Sequence, residues 1–145
     1  MNNPLRTPDE YELFVYTLAD HYPEILRSTV TFIRIGMTLA RVSGEITFEK
    51  GYRLVVRERL VYNRWPVVID GYGYEIWQGD EKLGWYDSQP HPQEPTLRST
   101  APHHQHIPPD IKHHRIPAPE LSFTAPNLPF LIQEIIALIH RTPRL

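Results

Sequence analysis

With 145 residues and no cysteine, the chain can build one ordinary core but not two, and it lacks the thiols that a disulfide framework, a thiolate zinc site or a cysteine nucleophile would need. Met1-Asn2-Asn3-Pro4 does not read as a secretory signal and no apolar run approaches a membrane span, so a cytoplasmic protein with no membrane partner is expected. The formal net charge of −2 conceals segregation: between Arg27 and Arg64 eight cations stand against three carboxylates, and from Trp65 to Pro95 six carboxylates are opposed by Lys82 alone, a pattern that suits a nucleic-acid partner or a solvated, salt-bridged sheet face.

Thr7-Pro8-Asp9-Glu10 carries a cap, a proline at the first helical position and a capping-box acid, which predicts a helix over 7–21 with Tyr11, Leu13, Phe14 and Leu18 at helical spacing. From Val30 the period becomes two, with Ile33, Ile35, Met37 and Leu39 on one side and Phe32, Arg34, Gly36 and Thr38 on the other. Ser43-Gly44 punctuates before a short strand at Ile46 to Phe48, and Glu49-Lys50-Gly51 reads as a turn. The next strand places Leu54, Val56 and Leu60 on one face and Arg53, Val55, Arg57 and Arg59 on the other. Val67 to Trp77 aligns Tyr72, Tyr74 and Ile76, while Gly71 and Gly73 leave room for a bulge or a close backbone approach. A turn at Gly79-Asp80-Glu81-Lys82 then leads into Leu83 to Tyr86.

Residues 30–87 therefore read as an antiparallel meander of four or five strands. Residues 88–126 show no sustained period and hold nine of the fifteen prolines, which predicts a long Pro/His-rich loop, functional or disordered. Asn127 as a cap, then Phe130, Leu131, Ile132, Ile135, Ile136, Leu138 and Ile139, predict a closing helix over 127–141. That helix must pack on the sheet or on a second copy, which would make a homodimer. The expected fold is α+β, a single domain over 1–145 with an N-terminal and a C-terminal helix.

Six of the eight histidines lie between His91 and His114, and three readings of them compete. As a metal site, His103, His104 and His106, with His113, His114 or Asp87 nearby, offer the nitrogen and oxygen donors that zinc accepts, although adjacent histidines usually diverge. As metal-free acid and base, the imidazoles would work on a phosphodiester with Arg53, Arg57, Arg59, Arg98 and Arg115 as electrostatic partners. As structural residues, they would stack on prolines and tyrosines, the reading that also suits His21 and His140. Tyr72, Tyr74, Trp77, Trp85 and Tyr86 are base-stacking platforms or ordinary sheet packing. Neither a glycine-rich phosphate loop nor a Gly-x-Ser-x-Gly elbow is present.

Gly71-Tyr72-Gly73-Tyr74-Glu75-Ile76-Trp77-Gln78, a Gly-Asp turn, Trp85-Tyr86-Asp87, Pro90-His91-Pro92 and Pro102-His103-His104-Gln105-His106 together resemble the TumE-like family of small prokaryotic toxins over roughly residues 70–140. The sequence departs from the family pattern at Ser88 and Pro92, and an insertion at 107–119 adds His113 and His114. The resemblance implies the toxin of a toxin–antitoxin pair, acting on RNA and neutralised by a small cognate antitoxin, with Asp87, His91, His103, His104 and His106 inheriting the family motif. The leading expectation is a metal-independent ribonuclease without cofactor. Its catalytic residues would be Asp87, His91, His103, His104 and His106, and its RNA-binding residues Arg53, Arg57, Arg59, Tyr72, Tyr74 and Arg115. The alternatives are a non-enzymatic interaction module and a metal-dependent hydrolase built on His103, His104 and His106.

Overall fold

Alternation turns one side of each long strand inward. In β4 (Tyr52–Val61) the residues Tyr52, Leu54, Val56, Glu58 and Leu60 are buried, and Arg57 and Arg59 between them are exposed. A computed structural model describes residues 3–88, 102–108 and 115–143. It adds α1 (Pro8–Tyr16), α2 (Leu18–His21), β1 (Ile25–Ser28), β2 (Thr31–Ile35), β3 (Leu39–Phe48), β5 (Val68–Gln78), β6 (Glu81–Asp87), β7 (His104–His106), β8 (Arg115–Pro117) and α3 (Leu128–Arg141). The eight strands form one antiparallel sheet in the order β1-β3-β4-β5-β6-β7-β8, with β2 also paired to β3. Among the described residues no helix is long and apolar enough to cross a membrane.

The expected class, α+β with a closing helix, holds in part; the expected four or five strands do not. β1 buries only Ile25 of its four residues, so it has no alternation to betray it. β7 and β8 are three residues long, and their pairing is imposed by the edge of β6, not by a period of their own. The stretch from 88 to 126 is thus partly sheet. Ser43-Gly44 is no break either, because β3 runs straight through it and changes neighbour from β2 to β1. Gly44 sits at φ 149° where a Cβ would lie 2.5 Å from the Thr29 carbonyl oxygen, so the glycine permits the close crossing of the β1–β2 connection.

Both long helices lie on the same face of the sheet. α1 buries Tyr11 and Val15, followed by Leu18 of α2, and leaves Leu13 exposed. α3 buries Leu128, Leu131, Ile132, Ile135 and Ile139 at helical spacing. At its C-terminus Lys50 Nζ donates to the carbonyls of Ile139 and Thr142 at 2.8 and 2.7 Å, placing a cation at the negative end of the helix dipole. Asn127 does not cap α3 with its side chain. Its amide instead donates to Tyr74 Oη and to the Ser122 carbonyl, and its Oδ1 accepts from Ser122 N–H.

At the centre of this face lies a carboxyl group. Glu58 is 2 % exposed and accepts hydrogen bonds from the hydroxyls of Tyr11 and Tyr74, each at 2.5 Å. Tyr11, Glu58, Tyr74 and Asn127 therefore link α1, β4, β5 and the start of α3 through buried polar atoms. Ile33, Ile35, Met37 and Leu39 point away from this core and remain exposed, because Val30 and Phe32 take the inward positions. The opposite face of β3, β4 and β5 carries the arginines.

Candidate functional site

Strand register assembles the site. One line across the sheet reads Ser43 (β3), Arg57 (β4), Gly73 (β5), Asp87 (β6) and His104 (β7), each opposite the next. The neighbouring line, two residues along, reads Glu45, Val55, Glu75, Trp85, His106 and Arg115. Side chains two apart share a face, so the arginines of β4, Asp87 of β6 and both histidines of β7 project to the side the long helices leave open.

Three of these groups converge. Asp87 Oδ1 is 2.7 Å from His104 Nε2 and its Oδ2 is 3.1 Å from His106 Nε2, while the two Nε2 atoms are 3.1 Å apart. Trp85 Nε1–H donates to Asp87 Oδ2 at 2.8 Å, and its ring lies 3.8 Å from that of His106. His104 Nδ1 is 3.0 Å from the Pro102 carbonyl, which can only accept, so Nδ1 carries a proton. His104 and His106 are 1 % and 4 % exposed, whereas a fifth of the Asp87 side chain is open. Burial opposes the charged form of His104, but the hydrogen bonds to Asp87 and Pro102 outweigh it and raise its pKa above the usual histidine value.

Asp87 is the member of the trio that lines a cleft of about 970 Å³ shared with Arg41, Ser43, Arg57, Arg59 and Ser88. Gly73 shapes the floor: a Cβ there would lie 2.8 Å from Arg57 Nη2, so its absence lets the guanidinium lie across β5, one strand from Asp87. Gly71 leaves similar room for Arg59, which also pairs with Asp70 at 3.0 Å. Two-thirds of each of these arginine side chains is exposed.

The sequence-predicted residues fall into four groups. Asp87, His104 and His106 meet; Arg57 and Arg59 flank them; Arg115 joins through its pairing with His106. His103 faces the other way, with its Nδ1 at 2.5 Å from the Tyr72 hydroxyl and its ring packed on Tyr72 and Phe123. Burial and the neighbouring His104 lower its pKa, and burial with the Asp87 charge raises that of Tyr72, so the two share their hydrogen bond as neutral groups. Tyr74 is fully buried on the helix-covered face. Arg53 stands further along the sheet, paired with Glu45 and stacked over Trp77 at 4.7 Å. His91, and with it His113, His114 and Arg98, lies outside the described residues.

Sequence reasoning misses Arg41 and Ser43 because Ser43-Gly44 reads as punctuation; the alternation of β3 continues through it and sets them opposite Arg59 and Arg57. It also passed over Glu58, whose signal was plain: an acid at the inward phase of Leu54, Val56 and Leu60.

A family model described as Toxin TumE matches residues 15–139. The chain belongs to the TumE toxin family. No curated protein and no solved structure matches it. The match extends upstream of the motif-bearing half through the basic strands, so the arginine face and the Asp87 centre both lie within the family's extent. A TumE toxin is the toxin component of a toxin–antitoxin system, and membership implies a cognate antitoxin as partner.

Proposed function

We propose that this TumE toxin acts on RNA and breaks a phosphodiester bond seated in the cleft between the arginines and Asp87. The observation that supports this most is the cross-strand line Arg57–Gly73–Asp87–His104. A phosphate resting over Gly73 would meet guanidinium groups on one side and the carboxylate–imidazole centre on the other. Arg57 and Arg59 would hold it through charge-assisted hydrogen bonds and oppose the charge that grows on its oxygens as the bond breaks. The Asp87–His104–His106 centre would activate the attacking oxygen. Because their Nε2 atoms are 3.1 Å apart on one carboxylate, His104 and His106 act as one unit, not as acid and base on opposite sides of a phosphorus.

In a cleavage assay on total RNA, the wild-type chain is expected to produce fragments, and the His104→Ala, His106→Ala chain to be slower by on the order of 100-fold. Equal turnover by a folded double variant would overturn the assignment. Gly73→Ala provides a finer check. Its methyl group displaces only the mobile end of Arg57, so stability should change by less than about 1 kcal/mol, while RNA affinity at low salt falls. An unchanged affinity would remove Arg57 from the phosphate site.

A further inference from the structure

At the head of the cleft, one ligating atom from each of three side chains lies within 4.8 Å of the others: the two imidazole Nε2 atoms are 3.1 Å apart, His104 Nε2 is 2.7 Å from Asp87 Oδ1, and His106 Nε2 is 3.1 Å from Asp87 Oδ2. We infer that Asp87, His104 and His106 form a binding site for one divalent cation of borderline softness, with zinc as the first candidate. The inference concerns the centre on which the proposed reaction rests, but binding itself needs no RNA.

Spacing is the first argument. Donors each about 2.1 Å from a common cation, at angles between octahedral and tetrahedral, stand about 3.0–3.4 Å apart. The two Nε2 atoms match that spacing, as does His106 Nε2 with Asp87 Oδ2, while the other carboxylate oxygen, Oδ1, stands nearer, at 2.7 Å from His104 Nε2.

The second argument is the protonation pattern. The Pro102 carbonyl holds the proton of His104 on Nδ1, so in a neutral ring Nε2 presents a lone pair to a carboxylate oxygen 2.7 Å away. That tautomer, with the proton on the nitrogen that faces a backbone carbonyl and the lone pair on the nitrogen that faces the other two ligands, is the one a metal-binding imidazole adopts.

Support around the ligands is the third. A backbone carbonyl orients one imidazole, the Trp85 indole N–H fixes the carboxylate, and the Trp85 ring backs the other imidazole. Ligating histidines and carboxylates are characteristically held by outer hydrogen bonds of this kind. Two imidazoles and one carboxylate, in a chain without cysteine, suit zinc and its first-row neighbours better than magnesium or calcium. A dication with one carboxylate leaves the centre net positive, which favours an anionic ligand in the adjoining cleft. Strand alternation also decides the ligand set: His104 and His106 share a face of β7 and His103 does not.

The test uses the full chain, purified without an affinity tag, stripped with a chelator and titrated with Zn²⁺ by calorimetry in the absence of RNA. One equivalent should bind, with affinity reduced at least tenfold by His106→Gln or Asp87→Asn and at least a hundredfold by His104→Ala with His106→Ala, while His21→Ala binds as the wild type does. Cobalt should give visible ligand-field absorption that the double variant lacks. Circular dichroism of each variant separates loss of ligands from loss of fold. Binding of less than about a tenth of an equivalent, or a full equivalent retained by the folded double variant, would overturn the inference. No zinc bound by a chain that cleaves RNA through these residues would sink it and leave the proposed reaction standing; zinc bound at this centre in a chain that leaves RNA intact would do the reverse.

Discussion

Glu58→Ala is expected to lower the unfolding free energy by about 2–4 kcal/mol, because it strands two buried tyrosine hydroxyls and opens a void beneath both helices. Tyr11 and Tyr74 each give their hydroxyl hydrogen to this one carboxyl group, which bulk solvent barely reaches. Glu58→Gln keeps an acceptor oxygen and the same volume, so it should cost about 1 kcal/mol or less.

The two variants also differ in their dependence on pH. Burial raises the Glu58 pKa, partly offset by the hydrogen bonds from Tyr11 and Tyr74, so the folded state holds its proton more tightly than the unfolded chain does. The stability this group contributes is therefore fully present below the unfolded carboxyl pKa of about 4.3 and is lost as pH rises through the raised folded value. In urea titrations from pH 4 upward the advantage of the wild type over Glu58→Gln should shrink. A cost below about 1 kcal/mol for Glu58→Ala, or a pH-independent difference from Glu58→Gln, would mean that the network does not join the helices to the sheet as described.

Asp87→Asn should have the largest effect of any single substitution on activity, a loss on the order of 100-fold in RNA cleavage. The amide can still accept from the Trp85 indole, but it cannot balance two imidazoles with a negative charge. The high pKa of His104 rests on that charge, and both the proton inventory and the hold on the rings change when it is gone. Fluorescence of Trp85 and thermal unfolding would report whether the fold persists. A folded Asp87→Asn chain with wild-type turnover would place the reacting centre elsewhere.

How much of this was legible beforehand follows from the physics of each segment. β4 declared itself through its alternation of leucine and valine with arginine, and α3 through its apolar stripe, because both signals are local. The carboxylate–histidine centre was legible as composition but not as geometry. Pro102 to His106 has no period of its own, and only pairing with β6 reveals that His104 and His106 share a face with Asp87 while His103 turns towards Tyr72. The same non-local pairing concealed β7 and β8 and made a partly sheet-forming segment read as a loop. Across α1 and α2 the inward stripe is Tyr11, Val15 and Leu18, with the Tyr11 hydroxyl reaching Glu58; hydrophobic spacing puts forward Tyr11 and Leu18 but also Leu13, which is exposed.

The most direct test of the central claim, that the toxin acts through the Asp87–His104–His106 centre, is growth after induced expression. The wild-type chain is compared with the His104→Ala, His106→Ala chain at equal soluble yield. Arrest by the wild type with normal growth of the variant is the predicted result. Arrest by both, or by neither, would contradict it.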